Sequence, residues 1–215
     1  ASLRKKVDLV AFGDSYLQGF NSLKWNFERD RTVAVSVDSQ PIKMLRYTAK
    51  KYSVAVSFGY YELCGEAIYS SYMFIGKNGE IVNNFRRVSK GWKEYDITDE
   101  HYKEGDGFKT FTYMGKRIAL AVCGDLWYEE NIEQINKEKF DFLLYPVYVT
   151  YNTEMWRTKL VDEYAEQAKK IPRPVFLVNS ICDADNTRGG CYAFLNGKTV
   201  CEVPMGQDGY LLVRV

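Results

Sequence analysis

Apolar residues fall in short unbroken runs in some stretches of this chain and at helical spacing in others. Val7 to Phe12 is a short apolar run closed by Gly13, the pattern of a buried strand that delivers Asp14 and Ser15 to its C-terminal edge. Pro41 to Tyr52 places Ile42, Leu45 and Ala49 on one helical face, with a proline in the first turn. Val54 to Tyr60 and Ile68 to Ile75 read as strands, and Lys77-Asn78-Gly79-Glu80 as a hairpin turn into Ile81. A second hairpin joins Phe108–Tyr113 to Lys116–Val122 through Met114-Gly115. The pattern then predicts a helix over Glu129–Lys139, a buried strand Phe142–Tyr145 ended by Pro146, an amphipathic helix Glu154–Lys170 and a buried strand Val175–Val178. Three closing strands follow, Cys191–Leu195, Thr199–Val203 and Tyr210–Val215, separated by Asn196-Gly197 and Gly206–Gly209. No repeat or linker divides residues 1–215, which read as one α+β domain with helices outside packed sheets.

Ala1 to Lys6 reads like the tail of a helix, so the first element of the fold is expected to be missing from this chain. Lys plus Arg (29) nearly cancels Asp plus Glu (28), which gives no sign of a polyanionic partner and argues against nucleic-acid binding. The five cysteines are odd in number and include no CxxC pair, so a complete disulfide framework is excluded and a reduced, cytoplasmic setting is favoured. No stretch approaches the roughly 20 apolar residues of a membrane span, and no signal-peptide pattern opens the chain. A single histidine, His101, rules out a zinc site built on two or three histidines; no metal and no cofactor is expected.

Three strand ends carry reactive or charged groups. Asp14 follows Phe12-Gly13, Arg86-Arg87 follows Ile81–Phe85, and Cys123 stands where the apolar run Ile118–Val122 gives way to Gly124, Asp125, Leu126 and Trp127. A thiol, a carboxylate and a cation converging on one cleft could carry acyl transfer, the thiolate attacking a carbonyl, the carboxylate moving protons and the cation stabilising an oxyanion. A Cys-His dyad would have to draw on His101, in the charged segment Thr98–Gly107. Each group also has an ordinary structural reading: a buried apolar cysteine, a turn aspartate and a solvated basic face.

Taken in order, the three motifs resemble the nitrilase, or carbon–nitrogen hydrolase, superfamily. Asp8–Phe20 reads DLVAFGDSYLQGF where that family has an apolar strand, Pro-Glu and a stretch ending Gly-Tyr; Asn84–Lys93 reads NFRRVSKGWK against Tyr-Arg-Lys and a polar loop; Val122–Tyr128 reads VCGDLWY against Ile-Cys-Tyr-Asp. Phe140–Pro146, Trp156–Ala168 and Gly189-Gly190-Cys191 extend the likeness over nearly the whole chain. The resemblance implies an α-β-β-α sandwich, here without the family's N-terminal strand, and a Glu-Lys-Cys triad. Cys123 falls on the nucleophile, Asp14 on the glutamate, Arg87 on the lysine and Gly124 on the oxyanion-hole N–H. Lys90 or Lys93 could supply the amine if their loop runs differently, Asp99 or Glu100 a supporting carboxylate before Gly105, and Trp127 and Tyr148 the pocket walls. The implied activity is hydrolysis of an amide, carbamoyl or nitrile carbon–nitrogen bond in a small molecule, by a homodimer or higher homo-oligomer that the aromatic content and an exposed helix face at Trp156–Lys170 also suggest. The alternative is a catalytically impaired relative that keeps the fold as a ligand-binding or oligomer-forming module, since two triad positions are altered.

Overall fold

The apolar run at the start of the chain makes a strand, β1 (Leu9–Ala11), in the computed structural model, which describes residues 7–215; the expectation for Ala1–Lys6 falls outside the described residues. A short helix, α1 (Phe27–Asp30), and a longer one, α2 (Gln40–Tyr52), lead into β2 (Ala55–Cys64), β3 (Ala67–Ile75) and β4 (Ile81–Arg86). These strands form a sheet in the order β1-β2-β3-β4, with β1 parallel to β2 and the rest antiparallel. Among the described residues β1 pairs only with β2 and is the edge of its sheet.

The second sheet collects β5 (Phe111–Tyr113), β6 (Lys116–Leu120), β7 (Phe142–Val147), β8 (Val175–Asn179), β11 (Cys191–Leu195) and β12 (Lys198–Val203), in the order β12-β11-β8-β7-β6-β5. β6, β7 and β8 are parallel, and their crossovers carry α3 (Glu129–Lys137) and a long helix. That helix begins as α4 (Thr153–Met155), passes through a π turn at Trp156–Leu160 and continues as α5 (Val161–Lys169). A small hairpin of β9 (Ile181–Cys182) and β10 (Thr187–Arg188) leaves the end of β8.

Each helix buries the face its spacing predicts. Ile42 and Ala49 of α2 pack on Phe58, Tyr60, Met73 and Ile75. Tyr72, Phe74 and Phe85 meet Ile118, Leu120, Val122, Phe142 and Leu144 between the sheets. Ile132, Ile135, Tyr164, Ala165 and Ala168 cover the far face of the second sheet at Leu143 and Tyr145. The layers are therefore α-β-β-α, as the resemblance implies, and each large apolar side chain so buried stabilises the stack by roughly 1.5–3 kcal/mol.

Two expectations are corrected and a third is sharpened. Pro146 does not end its strand: β7 runs on to Val147, because pairing with β6 stops at Leu144 and no ladder bond asks for the missing N–H. The long helix keeps an exposed outer face, as expected, and that face is charged, with the Lys159–Glu163 pair on it, while Trp156, Leu160, Tyr164, Ala165 and Ala168 are buried in this chain's own core. Tyr210–Val215 forms no strand, and Tyr210, Leu212, Val213 and Val215 lie exposed beside an edge strand, β12, whose own side chains are nearly all exposed.

Strand direction places the chemistry. β1, β2 and β4 end on the same side of the first sheet, as do β6, β7 and β8 in the second. Asp14, Arg87, Cys123 and Tyr148 follow β1, β4, β6 and β7, at the carboxyl edge where open sheets hold ligands.

Candidate active site

Asp14 is fixed by close backbone packing rather than by its own side chain. Its N–H donates to Val147 O at 3.3 Å, and its carbonyl accepts from Ser180 Oγ at 2.6 Å, tying β1 to the ends of β7 and β8. Gly13 and Gly59 let this happen: a Cβ on Gly13 would lie 2.5 Å from Ser180 N, and one on Gly59 2.4 Å from Ser15 N. The carboxyl is wholly buried, accepts from Ser15 Oγ at 3.2 Å on Oδ1, and has no partner on Oδ2. Burial pushes its pKa up, with the Arg87 charge and the Ser15 hydrogen bonds pulling back.

Cys123 opens the short 3₁₀ turn Cys123–Trp127 with φ at +48°, a left-handed conformation unusual for a residue with a side chain. The turn is held from both sides. Tyr145 Oη donates to the Cys123 carbonyl at 2.7 Å, and the Tyr148 N–H faces the sulfur. Asp125, wholly buried, accepts from Val122 N at 2.8 Å on Oδ2, and from Ser89 N at 2.7 Å and Val88 N at 3.2 Å on Oδ1. That carboxylate thereby locks the loop after β4 onto the loop after β6. The thiol pKa is raised by burial; Arg87 is the strongest influence that lowers it, while Asp14 and Asp125 add to the rise.

Arg86 and Arg87 point to opposite faces, as successive strand residues do. Arg86 makes a two-pronged pair with buried Glu62, at 2.9 Å and 2.7 Å, and lies over the Tyr69 ring. Arg87 turns inward: it is 4% exposed, donates from Nε to Ser89 Oγ at 2.8 Å and from Nη2 to Lys90 O at 3.4 Å, and sits beside Gly124. Burial works against its charge, but Cys123, Asp14 and Asp125 hold it protonated. The structure thus brings Asp14, Arg87, Cys123 and Gly124 together.

Lys90 and Lys93 do not join them. Lys90 is exposed, and Lys93 is engaged by the Tyr102 carbonyl and by Glu104 Oε1 at 3.1 Å.

The carbon–nitrogen hydrolase family profile matches residues 1–213 of the sequence. The chain belongs to that family. A citrullinase of Francisella tularensis is 26% identical over 120 residues, covering 53% of this chain and 41% of that protein. A bromoxynil-specific nitrilase of Klebsiella pneumoniae subsp. ozaenae is 27% identical over 140 residues, covering 61% of this chain and 38% of that protein. The chain thus spans about two fifths of the length of these two relatives. Among solved structures, a carbon–nitrogen hydrolase from Helicobacter pylori superposes with a TM-score of 0.69 at 17% identity, covering 94% of this chain and 74% of that one, a likeness of fold.

Around the four converging residues, the expected walls part company. Tyr148 is buried, stacks on Phe20 with ring centroids 5.2 Å apart and donates its hydroxyl to Asp185. Trp127 is 42% exposed and meets Tyr164 edge-on at 5.1 Å. His101 stacks on Phe27 and bonds Asp99 at 2.9 Å, and neither is among the main charges acting on Cys123; Glu100 is exposed. Sequence reasoning missed Asp125, Tyr145 and Ser180. Asp125 was within reach, since it stands two residues after Cys123, while Tyr145 and Ser180 act through contacts that only the fold creates. Among the described residues no cluster of His, Cys, Asp and Glu could hold a metal, and no helix is long and apolar enough to cross a membrane. All five cysteines are unpaired.

Proposed function

We propose that this chain hydrolyses a carbon–nitrogen bond in a small amide, carbamoyl compound or nitrile through a covalent intermediate on Cys123. The observation that carries this reading is the convergence of Asp14, Arg87 and Cys123 at one edge of the two sheets, with Cys123 raised into a left-handed turn. With an amide, ionised Asp14 takes the proton of the Cys123 thiol as the sulfur forms the S–C bond, and the carbonyl electrons move onto an oxygen facing Arg87 and the Gly124 N–H. The carbon–nitrogen bond then breaks as the Asp14 carboxyl gives its proton to the leaving nitrogen. Water attacks the thioester, Asp14 takes the proton from water, and the thiolate leaves. Arg87 supplies charge and no proton, because a guanidinium stays protonated in the working range. The unpartnered Oδ2 of buried Asp14 supports a substrate that donates a hydrogen bond there. The unpaired cysteines support a cytoplasmic setting, and residues 1–215 act as one hydrolase domain within a homo-oligomer.

A panel of small amides, ureido compounds and nitriles tests the reading. The expected result is ammonia release from at least one compound and an acyl adduct on Cys123 by intact mass, both lost in Cys123→Ala. Ammonia that persists in the variant would rule out the cysteine mechanism.

One observation favours a second reading, a non-catalytic ligand-binding module: the cation beside Cys123 is an arginine, which cannot pass a proton. Alkylation of Cys123 by iodoacetamide at pH 6 no faster than that of the denatured chain would favour the module.

A further inference from the structure

The Arg87 guanidinium occupies a space that exists because residue 124 has no side chain. A Cβ on Gly124 would lie 2.4 Å from Arg87 Nη2, 3.0 Å from Ser89 Oγ and 3.4 Å from Arg87 Cζ. The first of these is closer than any real carbon contact. Gly124 is not among the residues with positive φ, so the turn itself does not call for glycine. What the position requires is room. Arg87 cannot fill it by accident, since the side chain is buried and held by Ser89 and the Lys90 carbonyl, and Ser89 is itself pinned by Asp125.

We propose that Gly124 is a positioning residue whose bare Cα seats the Arg87 guanidinium against Cys123, so that residues 87 and 124 act as one unit holding the counter-charge of the thiol. The proposal rests on the reading of Cys123 as nucleophile and adds to it which residue fixes the cation. An alanine at 124 must push the guanidinium aside. The group that yields is the far end of a flexible side chain, so the fold survives and the charge moves. A lysine at 87 ends in a narrower group and leaves room for the added methyl.

Iodoacetamide alkylation of the full chain, read at the peptide containing Cys123 from pH 6 to 10, tests this. Gly124→Ala is expected to raise the alkylation midpoint by about one pH unit and to slow the reaction at pH 7 about tenfold. Arg87→Gln is expected to do the same. In an Arg87→Lys background, adding Gly124→Ala should change the rate less than about twofold, because the interaction is removed from the cycle. Wild-type alkylation in Gly124→Ala, or an equal slowing in both backgrounds, overturns the proposal. Should Gly124→Ala fail to fold, Arg87→Gln decides, and an unchanged midpoint there also overturns it. Wild-type protein that releases no ammonia yet shows the coupling supports the pairing and overturns only the hydrolase reading.

Discussion

Asp14 is placed where a proton carrier is useful and a bare carboxylate is costly. Burial raises its pKa, so it holds a proton at a higher pH than a free aspartate, with Arg87 limiting the rise. Acting as the base toward the Cys123 thiol, it must be ionised before substrate reacts; kcat/KM is therefore expected to fall as pH drops through a value above the ordinary aspartate range. Asp14→Asn is expected to lower kcat by at least about 10²-fold, the contribution of a positioned acid–base group, with less effect on KM. A variant that keeps the wild-type rate and acid limb would remove Asp14 from the chemistry. At this scale the sequence named the convergent residues because each follows an apolar run, and strand ends are readable. It could not say that Arg87 faces inward and Arg86 outward, because that depends on where Glu62 and Ser89 lie after folding. Nor could it show that Gly124 departs from the Cys-Tyr-Asp pattern to make room, since the need arises from a side chain 37 positions away in sequence.

Two elements, the loop after β4 and the turn after β6, are joined at the site through one buried side chain. Asp125 satisfies the N–H groups of Val88, Ser89 and Val122, each of which would otherwise be left without a partner. Asp125→Ala is expected to destabilise by about 3–5 kcal/mol, because it strands several buried donors and leaves Arg87 less compensated. Asp125→Asn, which keeps one acceptor oxygen, should fall between; urea unfolding checks both, and a loss under about 1 kcal/mol would show that the loops hold without the clamp. β2 makes the matching contact with the Asp14 loop at Gly59, where no Cβ fits. Gly59→Ala is expected to cost about 1–3 kcal/mol as overpacking does, and to depress kcat through displaced Asp14. Element identity was legible wherever the apolar period was regular, as in α2 and β3. It failed at Pro146, where the end of β6 pairing removes the usual penalty, and at Tyr210–Val215, which stays outside the ladder among the described residues although β12 is an edge strand.

For the molecule as a whole, the formal charge of +1 says little about pH, because the groups that matter are buried and shifted in opposite directions. Burial raises Asp14 and Asp125. Burial would raise Glu62 as well, but the Arg86 bonds, the Ser71 bond and the Arg86 charge outweigh it and hold Glu62 low. A raised carboxyl binds more protons folded than unfolded, so its stabilising contribution is complete below the unfolded value near 4 and is lost as pH climbs through the folded value. A lowered carboxyl behaves oppositely: its contribution is present above about 4.3 and is lost as pH falls through the folded value. Between pH 4 and 7, therefore, Asp14→Asn should gain stability relative to wild type as pH rises, since the substitution removes a group that resists ionisation. Glu62→Gln should show a nearly constant deficit over the same range, because wild type already holds the ionised Glu62–Arg86 pair, and should recover ground only as pH falls below about 4.3. Urea midpoints at pH 3, 4, 5.5 and 7 for the three proteins read both signs at once. Parallel curves for Asp14→Asn and wild type would mean that Asp14 stays ionised as readily as a free aspartate, and it would then be a weaker base toward the Cys123 thiol than the proposed cycle requires.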